Sequence, residues 1–356
     1  MYDSLNTPIE VGIASFGMSG SVFHAPLLST HPDFYLSTII ERHREDSSTK
    51  YPTCHILRSF EEMIHKDSID LVVVNTPDRT HFDYVKMALE AGKHVIVEKP
   101  FTITAQEAEK LTALAKTTGK MLSVFQNRRW DNDFLTVRRI LDRKLLGRLV
   151  SYEVNYDRFR PEITPNTWKE NATDSEGLLY GLGSHLIDQA MVLFGDPSWV
   201  FADLRVLRSG GEVDDSIEIH LGYDDLKVIL RSSYLVASPG PHFALHGTAG
   251  SFIKYGMDPQ EEALKEGGLP NEEGWGVEDD NLSGTLHTRI DGLQISGRVT
   301  SVPGNYLGFY DNISSVLQQK GTLAVTADQV TRVMQVMEAC QRSSRDRCIV
   351  KSPTQP

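Results

Sequence analysis

Cysteine is scarce in this 356-residue chain: Cys54, Cys340 and Cys348 are widely spaced, odd in number and form no C-x-x-C pair. They read as reduced thiols, and the sequence makes no case for a disulfide framework or a structural zinc. Positive charge is also short. A formal net charge of −12 argues against a surface built for nucleic acid or anionic membrane. No apolar run approaches the ~18–20 residues of a membrane span. The N-terminus, with Asp3 and Glu10, lacks the basic-then-apolar pattern of a signal peptide. Repeats, low-complexity tracts and Pro/Gly linkers are missing as well. What is present is average for a folded protein, 40% apolar and 24% charged residues, in a length that suggests two domains. The expectation is a soluble, cytoplasmic protein without nucleic-acid or membrane partners and without a metal.

The first half alternates strands with helical stretches. Residues 9–16 are an apolar run followed by Gly17-Met18-Ser19-Gly20 and a helical segment to about Thr30. Strand, glycine turn and helix form the context of a dinucleotide fingerprint, here with Ser15 in place of the first glycine; an ordinary tight turn fits equally. The strand ending at Ile40 is followed by Glu41 and Arg42. An acidic residue there binds adenosine ribose hydroxyls and a basic one a 2′-phosphate, unless the pair is only a solvated strand end. Residues 70–75 form a near-continuous apolar strand that stops at Thr76-Pro77, and a capping box at Thr104–Glu107 opens a helix ending at Gly119. Between them, His94-Val95-Ile96-Val97 delivers Glu98, Lys99 and Pro100 at a strand end. Burying a lysine stem there is costly unless the ammonium has a use, and the proline keeps Lys99 out of helical geometry. Such alternation predicts a doubly wound parallel sheet, a Rossmann domain over 1–124, with Gly17, Glu41, Thr76-Pro77 and Lys99 all at strand carboxyl ends, where ligands sit.

The remainder, 125–356, reads as an α+β substrate-binding and oligomerisation domain with a large, open, mostly antiparallel sheet. Residues 133–145 have helical periodicity with Phe134, Val137, Leu141 and Leu145 on one face. Val150, Tyr152, Val154 and Tyr156 alternate with polar residues, and further strands are expected near 199–207, 215–223, 226–236 and 243–247, with a helix at 182–194. Residues 258–300 show little periodicity and read as an excursion, and helices near 307–319 and 326–342 close the chain.

With these pieces in place the chain resembles the Gfo/Idh/MocA oxidoreductases, the glucose–fructose oxidoreductase and inositol dehydrogenase group, over nearly its whole length. The motifs are Ser-Phe-Gly-Met-Ser-Gly with Phe23-His24-Ala25-Pro26, Asn75-Thr76-Pro77 with His81, and Glu98-Lys99-Pro100. Asn127-Arg128-Arg129-Trp130-Asp131, Asp157–Pro161, Gly183-Ser184-His185–Gln189 and Val302–Tyr306 complete the set, which is most similar to NADP-dependent scyllo-inositol dehydrogenases. The resemblance implies reversible hydride transfer between NADP or NAD, NADP favoured through Arg42 and Arg44 against Glu41, and a hydroxyl-bearing carbon of a sugar or cyclitol. It makes Lys99 the acid–base residue and His185 its catalytic partner. Phe16, Gly17, Gly20, Glu41, Arg42, Thr76, Pro77, His81, Glu98 and Lys99 become cofactor contacts; Arg128, Trp130, Asp157, Arg158, Trp168 and Tyr306 become candidate pocket walls. A homodimer or homotetramer is implied at family level. One departure stands out: the family's aspartate four residues before the histidine is here Gly181. Asp157 or Asp188 compensates, the substrate differs, or catalysis is impaired. A trans-dihydrodiol or biliverdin-type reductase, or a dinucleotide-binding regulator without turnover, are the alternatives.

Overall fold

The computed structural model describes residues 7–163 and 177–354. Two compact units are each assembled from separated segments: Met1–Trp130 with Pro259–Gly276 and Asn305–Thr331 in one, Asp131–Asp258 with Val277–Gly304 and Arg332–Pro356 in the other.

In the first unit, β1 (Ile9–Ile13), β2 (Phe34–Ile40), β3 (His55–Leu57), β4 (Leu71–Val74), β5 (His94–Val97) and β6 (Leu122–Val124) form one sheet in the order β3-β2-β1-β4-β5-β6. Every adjacent pair is parallel. The order reverses beside β1, which creates the crevice at which open α/β sheets bind ligands. β4 and β5 are apolar on both faces, with Leu71–Val74 and Val95–Val97 wholly buried, because helices cover both sides. A π-helical turn (Ser19–His24) runs into α1 (Ala25–Thr30), followed by α2 (Ser47–Lys50), α3 (Phe60–Ile64), α4 (His81–Glu90) and α5 (Ala105–Thr118). The boxed Thr104 and Glu107 cap α5 reciprocally, and Gly119 ends it in the left-handed conformation at φ 67°, as the sequence predicts.

The second sheet has nine strands. After α6 (Asn132–Asp142) come β7 (Leu149–Asn155), α7 (Ser184–Phe194), β8 (Trp199–Arg205), β9 (Ser216–Gly222), β10 (Lys227–Ser233), β11 (Phe243–Gly247) and β12 (Gly250–Lys254). Then follow α8 (Gln260–Lys265), β13 (Gly284–Ile290), β14 (Leu293–Val299), α9 (Leu307–Leu317), α10 (Ala327–Asp346) and β15 (Val350–Lys351). The order is β14-β13-β12-β11-β7-β10-β9-β8-β15. Only β7 and β10 pair in parallel, so the sheet is mostly antiparallel. Tyr152, Val154, Ile217, Ile219, Val228, Leu230 and Phe252 are buried on its covered face, whereas Arg231 bridges Glu153 and Glu218 on the other.

Two sequence expectations need correction. The helix predicted over 133–145 stops at Asp142, because Lys144 turns left-handed at φ 53°, and the buried stripe is Phe134, Val137 and Ile140 instead of one reaching Leu145. The supposed excursion over 258–300 contains α8 and the β13–β14 hairpin. Asp291 and Gly292, both with positive φ (50° and 82°), make its turn; an Asp-Gly pair of this kind matches the right-handed twist of a hairpin.

Candidate functional site

The glycine turn follows β1, as a dinucleotide site requires. Gly17 is exposed, and its N–H donates 3.3 Å to Ser15 Oγ. Gly20 is buried against the turn itself: a Cβ there would lie 2.1 Å from Ser15 O and 2.8 Å from Asn75 Nδ2. Only glycine allows this approach of helix to strand, the third role in the fingerprint. Asn75, at the end of β4, donates through Nδ2 to Ser15 O at 2.8 Å and holds the turn shut. Its Oδ1 is buried without a hydrogen-bond partner among the described residues. A ribose hydroxyl or carboxamide N–H of a bound dinucleotide would satisfy this acceptor. On these observations the residues fit a dinucleotide. Phe16 packs edge-on to Tyr51 at 6.0 Å beside the same turn.

At the end of β2 the two candidate ribose or phosphate contacts behave differently. Glu41 is buried, and its carboxylate is taken up by its own loop: Asp46 N–H donates to Oε1 at 2.9 Å, Ser47 N–H to Oε2 at 3.1 Å, and the Ser47 hydroxyl to Oε2. Arg58 fastens the loop by donating to the carbonyls of Glu41 and Arg44, both at 2.7 Å. Arg42 is exposed and donates to the neutral Tyr84 hydroxyl at 2.8 Å.

Lys99 sits immediately past β5, partly buried. Its neighbour Glu98 anchors the strand end. Glu98 Oε1 lies 3.1 Å from His24 Nε2, Oε2 accepts the Lys99 N–H at 3.1 Å, and His24 Nδ1 lies 2.7 Å from the Tyr310 hydroxyl. Burial pushes the Glu98 carboxyl up, but the hydrogen bond from His24, then the Lys99 charge and N–H, outweigh it and leave the group below the usual range. Burial pushes the Tyr310 phenol well up, with Glu98 adding to the effect. A phenol in that position donates, so His24 accepts through Nδ1 and donates through Nε2. His81 is buried as well, with its ring nitrogens at 2.8 Å from Pro100 O and 2.9 Å from Thr76 O. It ties the loops after β4 and β5 together; Thr76 and Pro77 form the first of these, Thr76 Oγ1 lying 2.7 Å from Thr80 Oγ1.

Two candidate pocket walls, Trp130 and Tyr306, gather in the first unit around a residue that periodicity does not reveal, and a third, Arg128, pairs with its neighbour. Gln260, fully buried, accepts through Oε1 from Tyr306 N–H at 2.7 Å and Trp275 Nε1 at 2.9 Å, and donates to Trp130 O at 3.3 Å. The Trp130 ring rests on Gly308, where a Cβ would lie 2.5 Å from it. Arg128 pairs with Glu261 at 2.6 Å. Burial pushes the Glu261 carboxyl up; the Arg128 charge and the Lys265 hydrogen bond reverse this and bring it to about 2.

In the second unit, His185 is buried in the first turn of α7. Gly181 lies four residues earlier, in a π-helical turn (Leu179–Gly183) that feeds the helix, with no atom of the described residues within 4 Å of a Cβ built on it. Asp214 holds the start of that turn. Its Oδ2 accepts Leu179 N–H at 2.7 Å and its carbonyl accepts Leu178 N–H at 2.8 Å. Burial raises the Asp214 carboxyl to about 6 against these hydrogen bonds. No sequence pattern pointed to it, because its partner is 35 residues away. Asp157 accepts Ser233 N–H at 3.0 Å through Oδ1, and Arg158 lies 5.5 Å over the Tyr156 ring. Trp168 lies outside the described residues. No group of three or more potential metal ligands occurs among the described residues, and no described helix is long and apolar enough to cross a membrane.

A parallel six-stranded sheet with a glycine turn at its switch point is the architecture of a dinucleotide-binding domain, here in one chain with an α+β unit built on a nine-stranded sheet. Residues 9–126 match the oxidoreductase family's NAD-binding Rossmann fold and residues 138–351 its C-terminal alpha/beta domain. The chain belongs to the Gfo/Idh/MocA oxidoreductase family. It is 38% identical to the scyllo-inositol 2-dehydrogenase (NADP(+)) IolW of Bacillus subtilis, over 95% of this chain and 94% of that protein. Among solved structures, an oxidoreductase from Bacteroides fragilis superposes with a TM-score of 0.90 at 50% identity, covering 97% of this chain and 99% of its own. The oxidoreductase yvaA of Bacillus subtilis superposes with a TM-score of 0.94 at 37% identity, covering 97% and 98%.

Proposed function

We propose that this protein is an NADP(H)-preferring dehydrogenase that interconverts a hydroxyl and a carbonyl on a sugar or cyclitol carbon. The observation that carries the reading is Lys99, delivered past the carboxyl end of β5 beside a partly buried Glu98 whose carboxyl is held below its usual range, in a domain whose crevice fits a dinucleotide. Similarity to a dehydrogenase named for scyllo-inositol and NADP(+) supports the substrate class and the cofactor. A bound nicotinamide supplies the hydride acceptor in oxidation and the hydride donor in reduction.

The chain's own groups do the rest. Gly17, exposed and without a side chain, would let a pyrophosphate approach the backbone, and N–H groups at the start of the segment from Ser19 would donate to it. Asn75 Oδ1 would accept from a bound cofactor. Lys99 takes the proton of the substrate hydroxyl in oxidation and returns it to the carbonyl oxygen in reduction. A free lysine amine, pKa ~10.4, is a poor base at neutral pH, and the positive charge of an oxidised nicotinamide would favour its neutral form. His185 hydrogen-bonds the same oxygen in this reading. The protein is proposed to be cytoplasmic and to assemble as a homodimer or homotetramer.

The test is NADP+ reduction, followed by absorbance, across a panel of cyclitols and aldoses with scyllo-inositol included. Turnover of at least one polyol is expected. Tight dinucleotide binding with no turnover on any of them would favour a sensor, the reading that Gly181 in place of a carboxylate supports.

A further inference from the structure

The loop after β2 carries an acid where a 2′-phosphate is unwelcome. In sequence, Glu41 is the residue that should favour an unphosphorylated ribose, since a carboxylate grips two adjacent hydroxyls and repels phosphate. Its side chain is otherwise engaged. An ionised carboxylate has about four acceptor sites, and three are filled from within: by Asp46 N–H on Oε1 and by the N–H and hydroxyl of Ser47 on Oε2. Glu41 is 7% exposed and Ser47 is fully buried, so these bonds lie out of competition with water. The rest of the loop balances its remaining acids. Glu45 pairs with Arg58, the residue that also holds the loop carbonyls, and Asp46 lies 3.6 Å from Arg44. Arg42 meets the uncharged Tyr84 hydroxyl, and that ring stacks on Phe60 at 4.2 Å. The strand end thus presents a guanidinium while its carboxylate is turned inward.

We propose that Ser47 is a cofactor-specificity residue: with the N–H groups of Asp46 and Ser47 it retains the Glu41 carboxylate inside the loop, which leaves the ribose 2′ position to Arg42 and admits a phosphate there. This rests on the dinucleotide-binding reading, and Ser47 acts through Glu41 without touching the cofactor itself. Loss of the Ser47 hydroxyl removes one of three donors and lets the carboxylate swing toward the ribose. The phosphorylated cofactor then suffers and the unphosphorylated one does not.

Dissociation constants of NADPH and NADH, measured by fluorescence on the full-length wild-type protein and three variants, test this without any substrate. Wild type should bind NADPH at least tenfold tighter than NADH. Glu41→Gln, which removes the charge and keeps one acceptor oxygen for the loop, should leave that ratio within about twofold. Ser47→Ala should lower it by about three- to tenfold, mainly through weaker NADPH binding, and the double variant Ser47→Ala/Glu41→Gln should restore it. That rescue separates an electrostatic role from simple loosening of the loop, which would weaken both cofactors in the double variant as well. Loss of NADH affinity by tenfold or more in Glu41→Gln, with NADPH unchanged, would make Glu41 a ribose ligand and overturn the proposal. So would an unmoved ratio in Ser47→Ala, or a wild-type preference for NADH, while dinucleotide binding itself stood. Failure of wild type to bind either nucleotide would overturn the dinucleotide reading and this proposal together.

Discussion

Glu98 keeps its charge in a position that burial penalises, and the cause is a chain of three side chains that ends at a phenol. Tyr310 donates to His24, His24 donates to Glu98, and Glu98 accepts the Lys99 N–H. Each member loses a partner if its neighbour is removed, and a buried polar group left unpaired costs more than the bond it made. Tyr310→Phe should therefore lower unfolding free energy by about 1–3 kcal/mol, read from a urea midpoint, with secondary structure unchanged. A loss too small to measure would mean that His24 finds another donor. Lys99 itself is a different case. Lys99→Ala should abolish turnover, at least 10²-fold as for a general acid–base group, while dinucleotide affinity stays within a few-fold. Retention of more than a tenth of wild-type activity by the folded variant would remove Lys99 from the chemistry. The Glu98-Lys99-Pro100 motif was legible from sequence because strand, charge and proline are contiguous. Its support by His24 and Tyr310 was not, since their bond spans 286 positions.

Elements show the same division between what is local and what is not. The parallel strands, the capped α5 and the alternating β7–β11 follow from apolar period and capping residues, all of which act within a few positions. The β13–β14 hairpin escaped that reading because its outer strand is almost wholly exposed, Leu293 by 69%, and so carries no two-faced alternation. Asp291-Gly292 was the available signal. The segment that presents His185 also differs from expectation: α7 begins only at Ser184, after a π-helical turn from Leu179 to Gly183. Such turns are uncommon and recur at functional sites. Gly181 lies in that turn without a positive φ and with open space at its Cβ position among the described residues, so a side chain there meets no clash with them and no backbone strain. Gly181→Asp should fold with unchanged or slightly higher thermal stability, as glycine is costly in helical geometry. It should raise kcat on polyols by roughly ten- to a hundredfold, as a charge-assisted hydrogen bond formed mainly in the transition state contributes about 1.5–3 kcal/mol. No gain on any substrate of the panel would mean that another residue already serves, or that the site runs other chemistry.

For the molecule as a whole, acid acts on the two units with opposite sign. In the first, Glu261 has a folded value of about 2, below its ordinary one near 4.5, because Arg128 and Lys265 overcome burial. A depressed carboxylate contributes stability that is present above the unfolded value and lost as pH falls through the folded one, here between about 4.5 and 2. With the Glu261 side chain 18% exposed, screening trims the linkage to about 1–3 kcal/mol. In the second unit, burial holds Asp214 at about 6, above its ordinary 3.8. Between those values the folded protein binds a proton that the unfolded chain does not, so stability rises as pH falls from about 6 toward 3.8. Thermal unfolding measured from pH 8 to pH 3 should separate the two groups. Asp214→Asn keeps an oxygen for Leu179 N–H and should flatten the profile between pH 6 and 4, with its largest gain over wild type above pH 6. Glu261→Gln should leave that region alone and erase part of the loss below pH 4.5, at the cost of lower stability at neutral pH, where Arg128 is left buried without its carboxylate. Coincident profiles for wild type and Asp214→Asn would show that the Asp214 carboxyl titrates normally, and that the hydrogen bonds at the start of the His185 segment outweigh its burial.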